Sequence, residues 1–178
     1  FLTFRHAAWQ AGAAAAGAGA GFAAQVDLAA LFTERAAALL APGGTLALLL
    51  PLKLWRSLAG GGVRRLVGEA LQLHRLEDWS EAPAAFDAAV YPSLLVASRP
   101  VRHDRARDTE EVQLTVHRRD LAIGWTTPRH HVPLDDSPGA PWLLLPPPAR
   151  AAFARLAVAG PALAASVFGR PALGVKCG

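Results

Sequence analysis

Residues 27–40 carry apolar side chains close to the spacing of a helix. Asp27 stands just before them, and an acidic residue suits a helix N-terminus. The apolar positions that define the pattern are Leu28, Leu31, Phe32, Leu39 and Leu40. The following "APGG" predicts the end of the helix. The uninterrupted run "TLALLLPL" then predicts a strand buried on both faces.

After Pro51 the pattern predicts further elements of the same kind. "KLWRSLAGGGVRRLVGEA" is helical at both ends and interrupted by three successive glycines. "LQLHRLEDW" and "YPSLLVASRP" predict a second and a third strand. The order helix, strand, helix, strand, loop, strand indicates an α/β fold and is typical of the rear half of an α/β sheet.

Composition shifts along the chain predict its domain organisation. Residues 1–25 are rich in alanine and glycine and predict a mobile loop at the start of a first domain, residues 1–100. Residues 101–111, "VRHDRARDTEE", are charged throughout and predict a linker. Residues 112–178 hold a short strand and turn, a proline-rich bend and a helix from about 148 to 159. We therefore expect a domain boundary between 100 and 112.

Composition narrows the functional classes only a little. The 178 residues have a net charge of +4 and a pI of about 10.2, which permits contact with nucleic acid. Cys177 is the single cysteine, so an internal disulfide is excluded and a reducing, cytoplasmic location is expected. The longest uncharged stretch, residues 9–26, is too weakly apolar to predict a membrane span. Because the chain lacks methionine and stops abruptly at "GVKCG", we expect it to be an internal piece of a longer protein.

A search for catalytic motifs finds few candidates. No Gly-x-Gly-x-x-Gly follows a strand, and neither a Walker sequence nor a Gly-x-Ser-x-Gly elbow is present. "RHH" at residues 129–131, near Asp135 and Asp136, has donors that could bind a metal. A solvent-exposed loop is the favoured interpretation, and we expect no metal site.

Two blocks of sequence point to a known family. They are "DLAALFTERAAALLAPGGTLALLLPLKLWR" with "AAFDAAVYPSLLVASR", within residues 25–100, and "GRPALGVKCG", within residues 165–178. In this order they resemble the later half of the class I adenine-N6 DNA methyltransferases that carry a C-terminal target-recognition domain, the TaqI-like and type IIG restriction-modification group. Cys177 stands where that family usually has threonine in its Gly-Ile/Val-Lys-Thr-Gly segment.

The resemblance implies a fold class and a function. It implies the C-terminal half of a Rossmann-like methyltransferase sheet, followed by the start of an α+β target-recognition domain. The cofactor would be S-adenosyl-L-methionine and the partner double-stranded DNA. In that family the cofactor loop and the Asn-Pro-Pro-Tyr/Trp motif precede the position of Phe1, and this sequence has neither. We therefore expect no catalytic and no cofactor-binding residue here.

The resemblance also implies DNA-contacting residues. Phe86 matches the aromatic residue that stacks on the extruded base; alternatively, it fills the end of the sheet. The other expected contacts are basic residues near the carboxyl end of the "TLALLLP" strand or in a glycine-flanked turn, where they could meet phosphates: Lys53, Arg56, Arg64, Arg65 and Lys176. For the first four, the alternative is a solvated helix face.

Two other functions remain open from the sequence. One is a non-catalytic DNA-binding or scaffolding subunit that kept the fold without the chemistry. The other is an RNA or small-molecule methyltransferase, since many methyltransferases share the Leu-x-Pro-Gly-Gly block. The recognition sequence, a fused nuclease and the oligomeric state are not encoded in any pattern found here.

Overall fold

The computed structural model describes residues 27–82, 91–101, 110–137 and 139–160. The α/β fold class is confirmed: helices accompany a mixed sheet of five strands. The chain divides into two compact units, residues 1–144 and residues 145–178. The sheet belongs to the first unit, and the described part of the second unit contains one helix.

The elements follow the predicted order. The helices described in the first unit are α1 (Leu28–Leu39), α2 (Lys53–Arg56) and α3 (Gly61–Ala70), with 3-10 turns at Leu58–Gly60 and Arg129–His131. The strands are β1 (Thr45–Pro51), β2 (Gln72–Asp78), β3 (Pro92–Ser98), β4 (Glu111–His117) and β5 (Ala122–Pro128). In the second unit, helix α4 (Pro147–Val158) lies where residues 148–159 predict one.

The sheet has the order β1-β3-β2-β4-β5. Strand β3 runs antiparallel to both β1 and β2, so β1 and β2 are parallel to each other. Strand β4 is parallel to β2, and β5 returns antiparallel to β4. As a result, the carboxyl ends of β1, β2 and β4 lie at one edge of the sheet, together with the start of β3.

The charged segment 101–111 does not separate two sheets. Arg75–Asp78 of β2 pairs with Gln113–Val116 of β4, so the hairpin beyond the predicted linker extends the sheet formed before it. The described chain divides into compact units after Leu144 instead. Pairing between strands that are distant in sequence is invisible to composition. The domain boundary expected between 100 and 112 stays a prediction.

Helix α1 begins where Asp27 predicts. The Asp27 side chain accepts a hydrogen bond from the Ala29 N–H at 2.9 Å, which satisfies one of the helix's unpaired amides. The buried residues of the helix are Ala30, Thr33 and Ala37, whereas Phe32 is 67% exposed. Helix α1 therefore packs through small side chains, and the larger apolar residues that reveal the helix in the sequence are not its buried face.

Strand β1 is buried on one face only. Leu46 and Leu50 are buried, whereas Ala47 and Leu49 are exposed, so the expectation of burial on both faces is not met among the described residues. The buried side faces the core, which also contains Leu95 of β3 and Val63 and Val67 of α3.

Trp55 fixes helix α2 against the end of the sheet. Its Nε1 donates to Ser93 Oγ at 2.7 Å, and that hydroxyl donates to the Leu50 carbonyl at 2.8 Å. Its ring stacks on Trp142 with centroids 5.3 Å apart, and the Trp142 N–H donates to the Trp55 carbonyl. Since all these groups are buried, α2 and its cationic side chains are held in one place at the sheet edge.

None of the helices in the described ranges is both long and apolar enough to cross a membrane.

Candidate nucleic-acid interface

A cleft of about 550 Å³ lies at the carboxyl ends of β1 and β2. Its walls come from the chain after β1, the chain after β2 and the residue that precedes β3. The lining residues are Leu52, Lys53, Arg56, Ser57, Ser80, Glu81 and Tyr91. Ligands of open α/β sheets bind at this kind of edge, so the cleft is the candidate site.

Lys53 reaches this cleft from the first turn of α2. Its Nζ lies 2.6 Å from Asp27 Oδ2, and its side chain is 61% exposed. Burial alone would raise the pKa of Asp27, but the hydrogen bonds from Lys53 and Ala29 and the Lys53 charge together hold it below its usual value of 3.8. The same carboxylate therefore caps α1 and holds the Lys53 ammonium near the cleft.

Arg56 is held by a buried carboxylate. Asp78, the last residue of β2, is 1% exposed. Its Oδ1 accepts the Ser80 N–H at 2.8 Å, and its Oδ2 pairs with Arg56 Nη2. The Arg56 side chain remains 47% exposed, and a guanidinium has five N–H donors. Asp78 thus orients Arg56 while leaving it donors for a ligand.

Arg64 is placed in the interior. It is 1% exposed, and its guanidinium donates to the carbonyls of Leu54, Ser57 and Gly139 at 2.6 to 3.0 Å. Burial lowers the pKa of Arg64 to about 10, so the side chain is still charged at neutral pH. Because backbone carbonyls surround it, Arg64 joins two loops to α3 and is not available to a phosphate.

Arg65 is exposed but lies beside a different cleft. This second cleft, of about 270 Å³, lies between α3 and the chain after β5. Arg65 shares it with Glu69, Asp135 and Asp136, so its charge is mixed. The structure therefore places Lys53 and Arg56 together and Arg65 apart from them.

Phe86 and Lys176 lie outside the described residues. Their predicted contacts with an extruded base and with phosphate remain predictions.

The structure adds residues to the edge that sequence reasoning did not select. Tyr91 lines the cleft and is 67% exposed. Arg118 follows β4 and pairs with Glu81 of the cleft. Tyr91 was visible as the aromatic of "YPS", but its position at the edge depends on the direction of β3. The position of Arg118 depends on the parallel pairing of β2 with β4, for which the sequence has no signal.

A buried carboxylate joins β2 to β4 next to this edge. Glu77 is 7% exposed, and its Oε2 accepts the Trp79 Nε1–H at 2.9 Å and lies 2.7 Å from His117 Nε2. The Trp79 and His117 rings stack with centroids 4.0 Å apart. These contacts hold the chain after β2, and with it one wall of the cleft.

The Arg129–His131 segment forms a 3-10 turn in which His130 and His131 are exposed. Within the part of the chain that the structure describes, no group of three or more histidine, cysteine, aspartate or glutamate side chains is placed to hold a metal ion.

Among comparisons with known proteins, only those with solved structures give matches, and 21 chains match. No family model matches the chain, and no curated protein matches it. The structure is similar to the crystal structure of the type I restriction enzyme EcoKI M protein (EC 2.1.1.72), with 18% sequence identity and a TM-score of 0.44. The match covers 51% of this chain and 19% of the EcoKI M protein, so it spans about one fifth of that protein's length.

Proposed function

We propose that this chain is part of a site-specific DNA adenine-N6 methyltransferase of a restriction-modification or phage-defence system, acting in the cytoplasm. In the intact enzyme a methyl group would pass from S-adenosyl-L-methionine to adenine N6. This part would contribute the sheet core, a wall of the pocket for the extruded base, and contacts to double-stranded DNA. We place the start of the target-recognition domain within residues 112–178.

The observation that carries the proposal is the position of Lys53 and Arg56. Both line the cleft at the edge where β1 and β2 end, and each is held by a carboxylate that leaves it exposed. Surface cations at the carboxyl edge of an α/β sheet suit the phosphates of a nucleic acid. The sequence blocks that resemble the DNA methyltransferases contribute this same edge, which favours DNA as the ligand.

The cleft does not fit adenosylmethionine. The cofactor's reactive sulfonium is a cation, and the cleft already presents the cationic side chains of Lys53 and Arg56. We propose, from the resemblance to the DNA methyltransferases, that other parts of the intact enzyme hold the cofactor. Calorimetry of this chain with adenosylmethionine should show no saturable heat, whereas a stoichiometric micromolar site would contradict this placement.

Binding to duplex DNA at different salt concentrations tests the interface. Lys53→Ala together with Arg56→Ala should weaken binding to all duplex sequences alike, because phosphate contacts do not depend on sequence. The slope of log K against log salt should fall by about 0.9 for each phosphate that the variant no longer neutralises.

The matched control is Arg35→Ala, which removes an exposed arginine from α1. It should leave both affinity and slope unchanged. An unchanged slope in the Lys53, Arg56 double variant would show that these residues are surface charges only.

A further inference from the structure

Tyr91 combines an exposed ring with a fixed backbone. The residue is 67% exposed, although its carbonyl accepts the Leu52 N–H at 2.8 Å. The next carbonyl, of Pro92, accepts the Trp79 N–H at 3.0 Å. The backbone around Tyr91 is therefore held by the segments after β1 and β2, and the ring projects from a rigid position.

The surroundings of this ring define the chemistry of a ligand. The cleft that Tyr91 lines has the apolar residue Leu52, the hydroxyls of Ser57 and Ser80, the cations Lys53 and Arg56, and one carboxylate, Glu81. An aromatic face beside two exposed cations is complementary to a molecule with a flat ring and a negative charge. A nucleotide has both, since its base stacks on aromatic side chains and its phosphate pairs with lysine and arginine.

The carboxylates in this region do not cancel that complementarity. Glu81 lines the cleft, but its charge is paired with Arg118. Asp78 is buried and pairs with Arg56 from the inner side. The Arg56 side chain remains 47% exposed on the other side. Lys53 is 61% exposed and can pair with a phosphate while its hydrogen bond to Asp27 is kept, because an ammonium has three donors.

We propose that this cleft binds one unpaired nucleotide of a DNA strand, with the Tyr91 ring stacked on the base and Lys53 and Arg56 contacting its phosphates. This inference rests on the proposed function, since it places a nucleotide on the proposed DNA interface. It adds a base contact at Tyr91, separate from the one expected at Phe86.

Binding of labelled single strands to the 178-residue chain tests the stacking. The two probes are a short thymidine oligonucleotide and an abasic strand with the same number of phosphates. The wild-type chain should prefer the thymidine strand. Tyr91→Ala should weaken binding to the thymidine strand by roughly 5- to 150-fold, which corresponds to about 1–3 kcal/mol for a stacked base. Its binding to the abasic strand should be unchanged.

Three further variants make the result specific. Tyr91→Phe keeps the aromatic face and should keep the preference for the thymidine strand. Tyr91→Leu keeps apolar volume without an aromatic face and should lose the preference for the thymidine strand. If Tyr91→Ala does not fold, this leucine variant tests the stacking instead. Phe32, on α1, is also 67% exposed. Phe32→Ala removes its aromatic ring and should change the affinity for neither strand.

The two probes separate this inference from the proposed function. If Lys53→Ala with Arg56→Ala leaves binding to the abasic strand unchanged, the phosphate interface of the proposed function fails. If the chain still preferred the thymidine strand and lost that preference in Tyr91→Ala, the stacking contact alone would be supported. Equal binding of both strands by the wild-type chain, or equal losses on both strands in Tyr91→Ala, would overturn the inference.

Discussion

Lys53, Arg56 and Arg64 carry the same charge in neighbouring parts of the chain but have different roles. Lys53 and Arg56 are exposed at the cleft, each with one carboxylate. Arg64 is buried among backbone carbonyls. Its positive charge strengthens the hydrogen bonds that it donates to them. At the residue scale, what a cation does here depends on the groups that surround it.

Replacing Arg64 should reduce stability. Arg64→Ala leaves the carbonyls of Leu54, Ser57 and Gly139 without their donor, and we expect the free energy of unfolding to fall by about 1–3 kcal/mol or more. Arg65→Ala removes the neighbouring exposed arginine and should stay within about 0.5 kcal/mol. Urea denaturation of both variants makes the comparison, and equal stability losses would contradict the buried role.

The Asp27–Lys53 pair predicts a dependence on pH. Asp27→Asn keeps a capping oxygen for α1 but removes the charge. Because the folded-state pKa of Asp27 lies below 3.8, the charge stabilises the folded state above that pH, and this contribution is lost as the pH falls through the folded-state pKa. At pH 7 the variant should lose no more than about 1 kcal/mol, since the pair is partly exposed.

Denaturation at a series of pH values checks this prediction. The difference between wild type and Asp27→Asn should shrink as the pH falls below 3.8 and vanish when the carboxyl is protonated in both states. Asp136→Asn, which removes an exposed carboxylate, is the control. A difference that stays constant into acid would contradict the ion pair as its source.

At the element scale, two local features of the backbone determine how β2 and α3 are placed. An irregularity in β2 between Leu73 and Arg75 shifts its register against β3, so Leu73 and Leu76 are both buried and Arg75 is exposed. Gly139, with a φ of +76°, brings its carbonyl to Arg64 at the start of α3. Both features act through the backbone conformation of a few residues: one shifts the register of β2, and the other places a carbonyl against α3.

The Gly139 turn should not tolerate a side chain. A Cβ at this position would lie 2.7 Å from the Gly61 carbonyl oxygen, in a backbone conformation that residues other than glycine rarely adopt. We expect Gly139→Ala to cost about 1–3 kcal/mol in thermal or urea unfolding. At Gly68, within α3, an added Cβ would come no closer than 3.8 Å to atoms outside the helix backbone, so Gly68→Ala should instead stabilise by up to about 1 kcal/mol. If Gly139→Ala and Gly68→Ala changed the stability equally, the close approach to Gly61 would not be the cause of the loss at Gly139.

At the scale of the whole molecule, the sheet has an apolar surface. Ala47 and Leu49 of β1 are exposed, Leu94 and Val96 of β3 are half-buried, and β1 pairs with β3 alone among the described strands. An exposed apolar edge strand is a site for pairing with another chain. This arrangement fits a sheet that continues in a larger domain.

The chain should therefore associate with itself, and a charge on β1 should reduce this. Leu49 is 54% exposed, so Leu49→Lys places an ammonium on the exposed face of the edge strand. Sedimentation velocity should show less association for this variant than for wild type. Leu39→Lys, at a position on α1 that is 73% exposed, should leave the association unchanged. A wild-type chain that remains monomeric at high concentration would contradict the prediction.

Local sequence patterns predicted the element order, the cap at Asp27 and the ends of the three strands up to Ser98. These depend on side-chain periodicity, capping groups and turn residues, which act between residues close in the chain. The periodicity also located α1, because large apolar residues mark a helix whether or not they are the ones that become buried.

Tertiary structure alone decided which cations are exposed, which strands are neighbours and which residues share the cleft. Arg64 and Arg65 are adjacent in sequence, yet one donates to the carbonyls of Leu54 in α2 and of the distant Gly139, and the other is exposed. Tyr91 meets Lys53 and Arg56 because β3 runs antiparallel between β1 and β2, which brings its start to the edge where they end. Strand order and direction result from packing between segments far apart in the chain, and a local sequence pattern contains no record of that packing.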